Sequence, residues 1–113
     1  MLPVVNRLTK RSDFELLRRE GKTTHTKLLR LRYRPNHQLS SRVAIVVSLH
    51  VSKQATKRNR AKRRMAAVLR KLYPALLPGF DIAIYPSAAA IEVAIGELET
   101  VATQALKRTR LIA

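Results

Sequence analysis

Lys53 to Tyr73 reads KQATKRNRAKRRMAAVLRKLY, and the organisation of the chain follows from this stretch. It holds nine of the 23 basic residues, Lys53, Lys57, Arg58, Arg60, Lys62, Arg63, Arg64, Arg70 and Lys71, and no acidic one. On a helical wheel at about 100° per residue, Ala61, Met65, Val68, Leu69, Leu72 and Tyr73 gather on one arc. Arg60, Arg63, Arg64, Ala67, Arg70 and Lys71 gather on the opposite arc, so one face packs on a body and the other presents cations. Lys62 and Arg58 fall on the apolar side, near the helix start, where a side chain reaches past the edge of a core. Cations in the first turns oppose the helix dipole and cost roughly 0.3–1 kcal/mol each at low salt. Free N–H groups at a helix start attract phosphates, so cations placed there point to a phosphate-rich partner. A solvated face is the ordinary explanation of a charge run. The density of this one argues for the partner, as does its excess of arginine, which makes bidentate phosphate contacts and stacks on bases.

Working outward, Arg42 to Ser48, RVAIVVS, is a short β-branched run that reads as a central strand covered on both faces. Pro74 and Pro78-Gly79 close the helix, and Phe80 to Tyr85 is a last strand ended by Pro86. Leu28 to Arg34 alternates, with Leu29, Leu31 and Tyr33 on one face and Arg30, Arg32 and Arg34 on the other. Three arginines on one strand face repel unless an anion lies across them; a solvated outer face is the equal alternative. Thr23 and Thr24 supply a short preceding strand, and residues 35–41 mark a loop. Residues 1–11 read as an extended arm with Pro3 and the cations Arg7, Lys10 and Arg11. Ser12-Asp13-Phe14-Glu15 has capping-box spacing, opening a helix that runs to about Glu20 and stops at Gly21. Phe14 and Leu17 share its face, and the pattern alone makes Phe14 a core residue. Ser87 is placed to cap a final helix, Ala89 to Lys107, with a stripe through Ile91, Ile95 and Leu98. Glu92, Glu97 and Glu99 make that helix the part least suited to nucleic acid.

A chain of 113 residues supports one domain, 1–113, with one modest core. Twenty-three basic against seven acidic residues give a net charge of +16, the footprint of a nucleic-acid or anionic-membrane partner. Five aromatic rings and no Trp are too few for recognition built mainly on stacking platforms. The absence of Cys excludes disulfides and suits the cytoplasm. The N-terminus lacks the apolar run of a signal peptide, and no apolar segment approaches the roughly 18 residues of a membrane span. The order α, two or three strands, α, β, α gives an α+β fold, a two-layer sandwich with a small sheet and helices on one side.

Two motifs carry a resemblance. Ala55, Arg58-Asn59-Arg60 and Lys62-Arg63 resemble the Arg-Asn-Arg signature of the bacterial ribonuclease P protein subunit. Arg7-Leu8 followed by Asp13-Phe14 resembles that family's N-terminal signature. The resemblance implies a mostly antiparallel sheet of about four strands with three helices and a left-handed crossover around the basic helix, although crossovers are usually right-handed. It implies that a separate RNA cleaves with Mg2+ that it holds itself, and that the protein binds this catalytic RNA and the 5′ leader of precursor tRNA, with no protein partner required. RNA binding is expected at Lys53, Lys57, Arg58, Asn59, Arg60, Lys62, Arg63 and Arg64. Leader binding is expected at Phe14, in a cleft between sheet and basic helix. Leu31, Tyr33 and Arg32 are its expected companions: the preference is that the apolar strand face, with Leu31 and Tyr33, lines the cleft; if the arginine face does, Arg30 and Arg32 hold phosphates. The chain departs from the family at Leu49-His50, where a lysine pair is usual, and at Ala66-Ala67, where Arg-Glu is usual.

No catalytic constellation is visible. His25, His37 and His50 lack metal spacing, and the carboxylates serve caps and surfaces. Read alone, this is an RNA-binding protein rather than an enzyme; the resemblance implies an accessory subunit of an endoribonuclease, inactive alone. A structural RNA binder such as a small ribosomal protein is the alternative. A zipper-type DNA-binding helix needs a leucine heptad that Pro74 and Pro78 interrupt. A membrane-surface helix is disfavoured by the strands and the third helix.

Overall fold

A computed structural model of the chain describes residues 7–112; the part of the expected arm that includes Pro3 lies outside the described residues. In chain order the elements are α1 (Arg11–Glu20), β1 (Lys22–His25), β2 (Leu29–Pro35), β3 (Arg42–Ile45) and α2 (Ala55–Leu72). They continue through a 3-10 turn (Tyr73–Ala75), β4 (Phe80–Pro86), a second 3-10 turn (Ala88–Ile91) and α3 (Ile95–Arg108). The four strands lie in the order β1-β2-β4-β3. The β1–β2 and β2–β4 pairs are antiparallel and β3–β4 is parallel, so the sheet is mixed and β3 and β4 are joined by a crossover through α2. The strand expected at 42–48 ends at Ile45 and is an edge strand, because β4 inserts between it and β2. Arg7 bridges to Val43 on its outer side, and the Leu8 N–H donates to the Val43 carbonyl at 2.9 Å.

Strand alternation sorts the sheet into two faces. Leu29, Leu31, Val43, Ile82 and Ile84 pack with Met65, Val68 and Leu69 of α2 and with Leu98, Ala102, Ala105 and Leu106 of α3. This is the main core, and it forms the two-layer α+β sandwich. α1 differs from expectation in lying on the opposite face, where Leu8, Leu17 and Ala83 make a small second core flanked by Phe14, Ala44 and Tyr85.

The α1 face also carries a row of charges. The register places Arg34, Asp81 and Arg42 side by side across β2, β4 and β3. Asp81 is fully buried. It accepts two bonds from Arg42, Nε to Oδ1 at 2.9 Å and Nη2 to Oδ2 at 2.8 Å, and a third from the Asn36 amide at 2.9 Å. Arg34 approaches the same carboxylate at 3.8 Å. The outer sides of the two guanidinium groups face α1: Arg42 donates to Asp13 at 3.1 Å, and Arg34 pairs with Glu20 at 3.5 Å. These bonds, chiefly the one to Asp81, hold the Arg42 guanidinium above its ordinary pKa, so it stays charged.

Two expected caps do not form. α1 begins at Arg11 with Lys10 at its N-cap and no side-chain cap, so Ser12 lies inside the first turn rather than at the cap, and Glu15 pairs with Arg11 at 3.4 Å. The Ser87 hydroxyl donates to the Lys27 and Leu28 carbonyls at 3.0 Å each and so ties β4 to the β1–β2 turn; α3 starts only at Ile95, whose side chain is 47 % exposed. Gly21 does end α1, but in an extended conformation (φ −74°, ψ 153°). Glycine is needed there because a Cβ would collide with the Leu17 carbonyl oxygen and meet the Arg32 side chain at 3.0 Å. Among the described residues no helix is long and apolar enough to cross a membrane.

Asp81→Asn removes the buried carboxylate shared by the two guanidinium groups and leaves them only their outer partners, Asp13 and Glu20. Urea unfolding is expected to show a loss of about 3 kcal/mol; a loss under about 1 kcal/mol, the range of an exposed pair, would make the row peripheral.

Candidate nucleic-acid interface

α2 begins without a capping side chain and without an acid in its first turn, so its exposed N–H groups and cations share one end. Its apolar stripe, Ala61, Met65, Val68 and Leu69, is buried on the sheet. The cations that flank this stripe divide between two sides.

On one side, Asn59, Lys62 and Arg63 face a cleft of about 780 Å3 that wraps the outer edge of β3. Its opposite wall is the segment from Arg7 to Thr9 with Phe14, and its floor is Val43, Ala44 and Ile45. Phe14 is half-buried, so the ring supports the second core and still borders the cleft. Lys62, which sits on the apolar arc of the wheel, is exposed because that arc runs out over the cleft.

On the other side, Arg60 and Arg64 are tied down. The Arg60 Nε donates to the Ile91 carbonyl at 3.0 Å, and its guanidinium lies 3.7 Å from Glu92. The Arg64 Nε donates to the Ala90 carbonyl at 3.2 Å. These carbonyls end a 3-10 turn, where cations are favourable. Arg58 turns back to the Ser52 carbonyl at 2.9 Å, bracing the loop before α2. Lys53 and Lys57 are exposed.

The strand residues expected beside Phe14 are divided by the sheet. Leu31 is 1 % exposed and Tyr33 packs on the same main core, on the face away from Phe14. The preference for the apolar face is therefore corrected: with α1 docked on the charged face, the arginine face of β2 is the one on Phe14's side. There Arg32 donates to Thr23 at 3.1 Å, and the Arg30 guanidinium lies 4.3 Å from the centre of the Tyr85 ring. Tyr85 flanks the same small core as Phe14. Sequence reasoning missed Tyr85, whose alternation with Ile82 and Ile84 was the available signal. Among the described residues no group of three or more His, Asp or Glu side chains is placed to hold a metal ion.

A mixed four-stranded sheet with a basic helix beside a cleft of aromatic and cationic side chains defines a small α+β RNA-binding protein. The model of the Ribonuclease P family matches residues 2–110, and the chain belongs to this family. It is 44 % identical over 84 residues to the ribonuclease P protein component of Synechococcus elongatus, covering 71 % of this chain and 69 % of that one. It is 35 % identical over 107 residues to that of a Roseiflexus species, covering 94 % and 87 %. Among solved structures, the RNase P protein of Thermotoga maritima superposes with a TM-score of 0.80 at 30 % identity, over 90 % of this chain and 96 % of that one. The RNase P protein of Staphylococcus aureus does so with a TM-score of 0.83 over 96 % and 98 %, at 18 % identity, and shows the shared fold. The chain is thus the accessory protein component of an endoribonuclease that acts in tRNA 5′-end maturation, and its partner is the ribonuclease P RNA. Ribonuclease P is a metal-dependent ribonucleoprotein.

The split of α2 has a measurable consequence. Arg64→Ala is expected to lower folding stability by about 1.5 kcal/mol, since it removes a charged donor from a carbonyl. Lys62→Ala, at the exposed cleft, should change stability by less than about 0.5 kcal/mol. Urea titrations of the two variants check the difference.

Proposed function

We propose that the chain holds the 5′ leader of precursor tRNA in the cleft at the β3 edge and binds the catalytic RNA through the cations around the start of α2. The observation that carries this reading is the meeting of Phe14 with Asn59, Lys62 and Arg63 around one cleft. An unpaired base stacks on an aromatic face, worth about 1–3 kcal/mol by substitution, while cations and an amide hold the adjoining phosphates. The arginine face of β2, with Arg30 on Tyr85 and Arg32 on Thr23, extends this surface across the sheet. Lys53, Lys57 and Arg58 lie at or before the uncapped start of α2 and are read as contacts to the catalytic RNA. Arg60 and Arg64 act first by fixing α2 against the 3-10 turn. Leu31 and Tyr33, on the far face, are no longer read as leader contacts.

Mg2+ is read as held mainly by the RNA, since the described carboxylates are engaged in ion pairs and supply no ligand group. The protein would then supply affinity and placement, and the RNA the cleavage. The compartment proposed is the cytoplasm.

Two measurements test this. Protein free of RNA should leave precursor tRNA intact in magnesium, and adding the cognate RNA should give cleavage at the mature 5′ end. Specific cleavage by the protein alone would sink the division of labour. Phe14→Leu keeps most of the apolar volume but loses the flat ring. The holoenzyme carrying it should bind leader-bearing precursor roughly tenfold more weakly, a change of about 1.4 kcal/mol. Its affinity for mature tRNA and its melting temperature should hold. A lower melting temperature with both affinities unchanged would make Phe14 plain core.

A further inference from the structure

The acids of the C-terminal helix region argue against RNA contact on sequence grounds, and the structure removes that argument. Glu92 pairs with Arg60, Glu97 with Lys27 at 3.0 Å, and Glu99 with Lys71 at 3.2 Å. The other four carboxylate side chains, Asp13, Glu15, Glu20 and Asp81, are paired within α1 or at the buried row. Every carboxylate side chain of the chain is thereby engaged, and none falls to Lys22, Lys107, Arg108 or Arg110. These four lie on β1 or at the end of α3, and β1 is the sheet edge opposite the cleft.

A groove of about 340 Å3 runs between the β1–β2 turn and α3, with His25, Thr26, Lys27, Gln104 and Arg108 among its walls. Arg108 is held at its mouth by a bond to the His25 carbonyl at 3.2 Å. Arg110 ends α3 with φ 62°, and the Leu111 N–H returns to the Leu106 carbonyl at 2.9 Å. Glycine is the usual residue at such a helix end, so this sequence keeps a cation where a side chain is disfavoured. Three strand spacings of about 4.8 Å separate the two sheet edges, about 14 Å in all. That exceeds the screening length of about 8 Å at physiological salt, so each edge attracts polyanions on its own.

We propose that the β1 edge and the C-terminal end of α3 form a second RNA-backbone surface, which engages a segment of the ribonuclease P RNA other than those met by the cleft and α2. The proposal rests on the RNA-binding reading above, and its test separates the two. Affinity for ribonuclease P RNA is measured against salt for the parent chain, a cleft variant (Lys62→Gln with Arg63→Gln) and an edge variant (Lys107→Gln, Arg108→Gln and Arg110→Gln). Each lost phosphate contact lowers the log–log salt slope by roughly 0.9, so the edge variant should lose about two to three from the slope. Its affinity for a short single-stranded leader RNA should stay unchanged. A normal slope for the edge variant beside a reduced one for the cleft variant overturns the second surface and leaves the proposed function standing. Normal slopes for both overturn both. An orthogonal measurement keeps the result independent of folding defects. The chain has no Cys, so Gln104→Cys takes a single iron-chelate probe beside the groove. It should cut ribonuclease P RNA at positions that the same probe on Thr56→Cys does not reach; no cuts of its own would overturn the proposal.

Discussion

The buried carboxylate of Asp81 holds the structure to its shape. Removing a charge from water costs several kcal/mol unless partners replace the solvent, and here two guanidinium groups and an amide do so. The consequence reaches α1. The apolar contact between α1 and the sheet is small, three buried residues with a partly buried fringe. What fixes the helix is that Arg34 and Arg42 have outward sides still needing acceptors, which Glu20 and Asp13 supply from its two ends. Phe14 neighbours Asp13, so the cleft wall is set by a charge row on the far side of the helix.

The same economy governs the whole surface. With seven acids against 23 bases, each carboxylate decides which cations become structural. Arg34 and Arg42 are absorbed into the fold, Arg60 joins α2 to the turn at Ala88–Ile91, and Lys71 joins it to α3. Exposed pairs of this kind add little stability, about 0–1 kcal/mol each. They place charge: cations left without a carboxylate gather around the start of α2 and at the β1 edge beside the end of α3, with others, such as Arg18 and Arg19, on α1.

Much of this was legible in the sequence because it is local. The wheel located α2 to within two residues at each end, and alternation found β2 and both of its faces. One failure is local: Ser12 to Glu15 had the spacing of a cap, but the helix begins at Arg11, ahead of Ser12, and Glu15 pairs with Arg11. The others are places where a distant residue captured a side chain. Ser87 stood before a helical pattern, but the β1–β2 turn took its hydroxyl. Arg60 and Arg64 belonged to the cationic arc, yet carbonyls at residues 90–91 claimed them. Which face of β2 lay beside Phe14 depended on the pairing of Arg34 with Asp81, a contact that periodicity does not encode. The run at 42–48 was apolar enough for a central strand; its edge position follows from where β4 inserts.

That insertion also orders the assembly of the chain in time. β2 and β3 are consecutive in sequence but never neighbours, because β4 pairs with one on each side. As the chain leaves the ribosome, the β1–β2 hairpin can close from local contacts, while β3 and α2 wait for residues 80–86. Non-local pairing of this kind slows folding, since the entropy of closing long loops is lost before the contacts form. Until then two strand edges stand open, and Arg34 and Arg42 lack their shared counter-charge. The nascent chain is thus a polycation with an unfinished sheet, and the arrival of one strand closes that sheet while its aspartate quiets the repulsion within it.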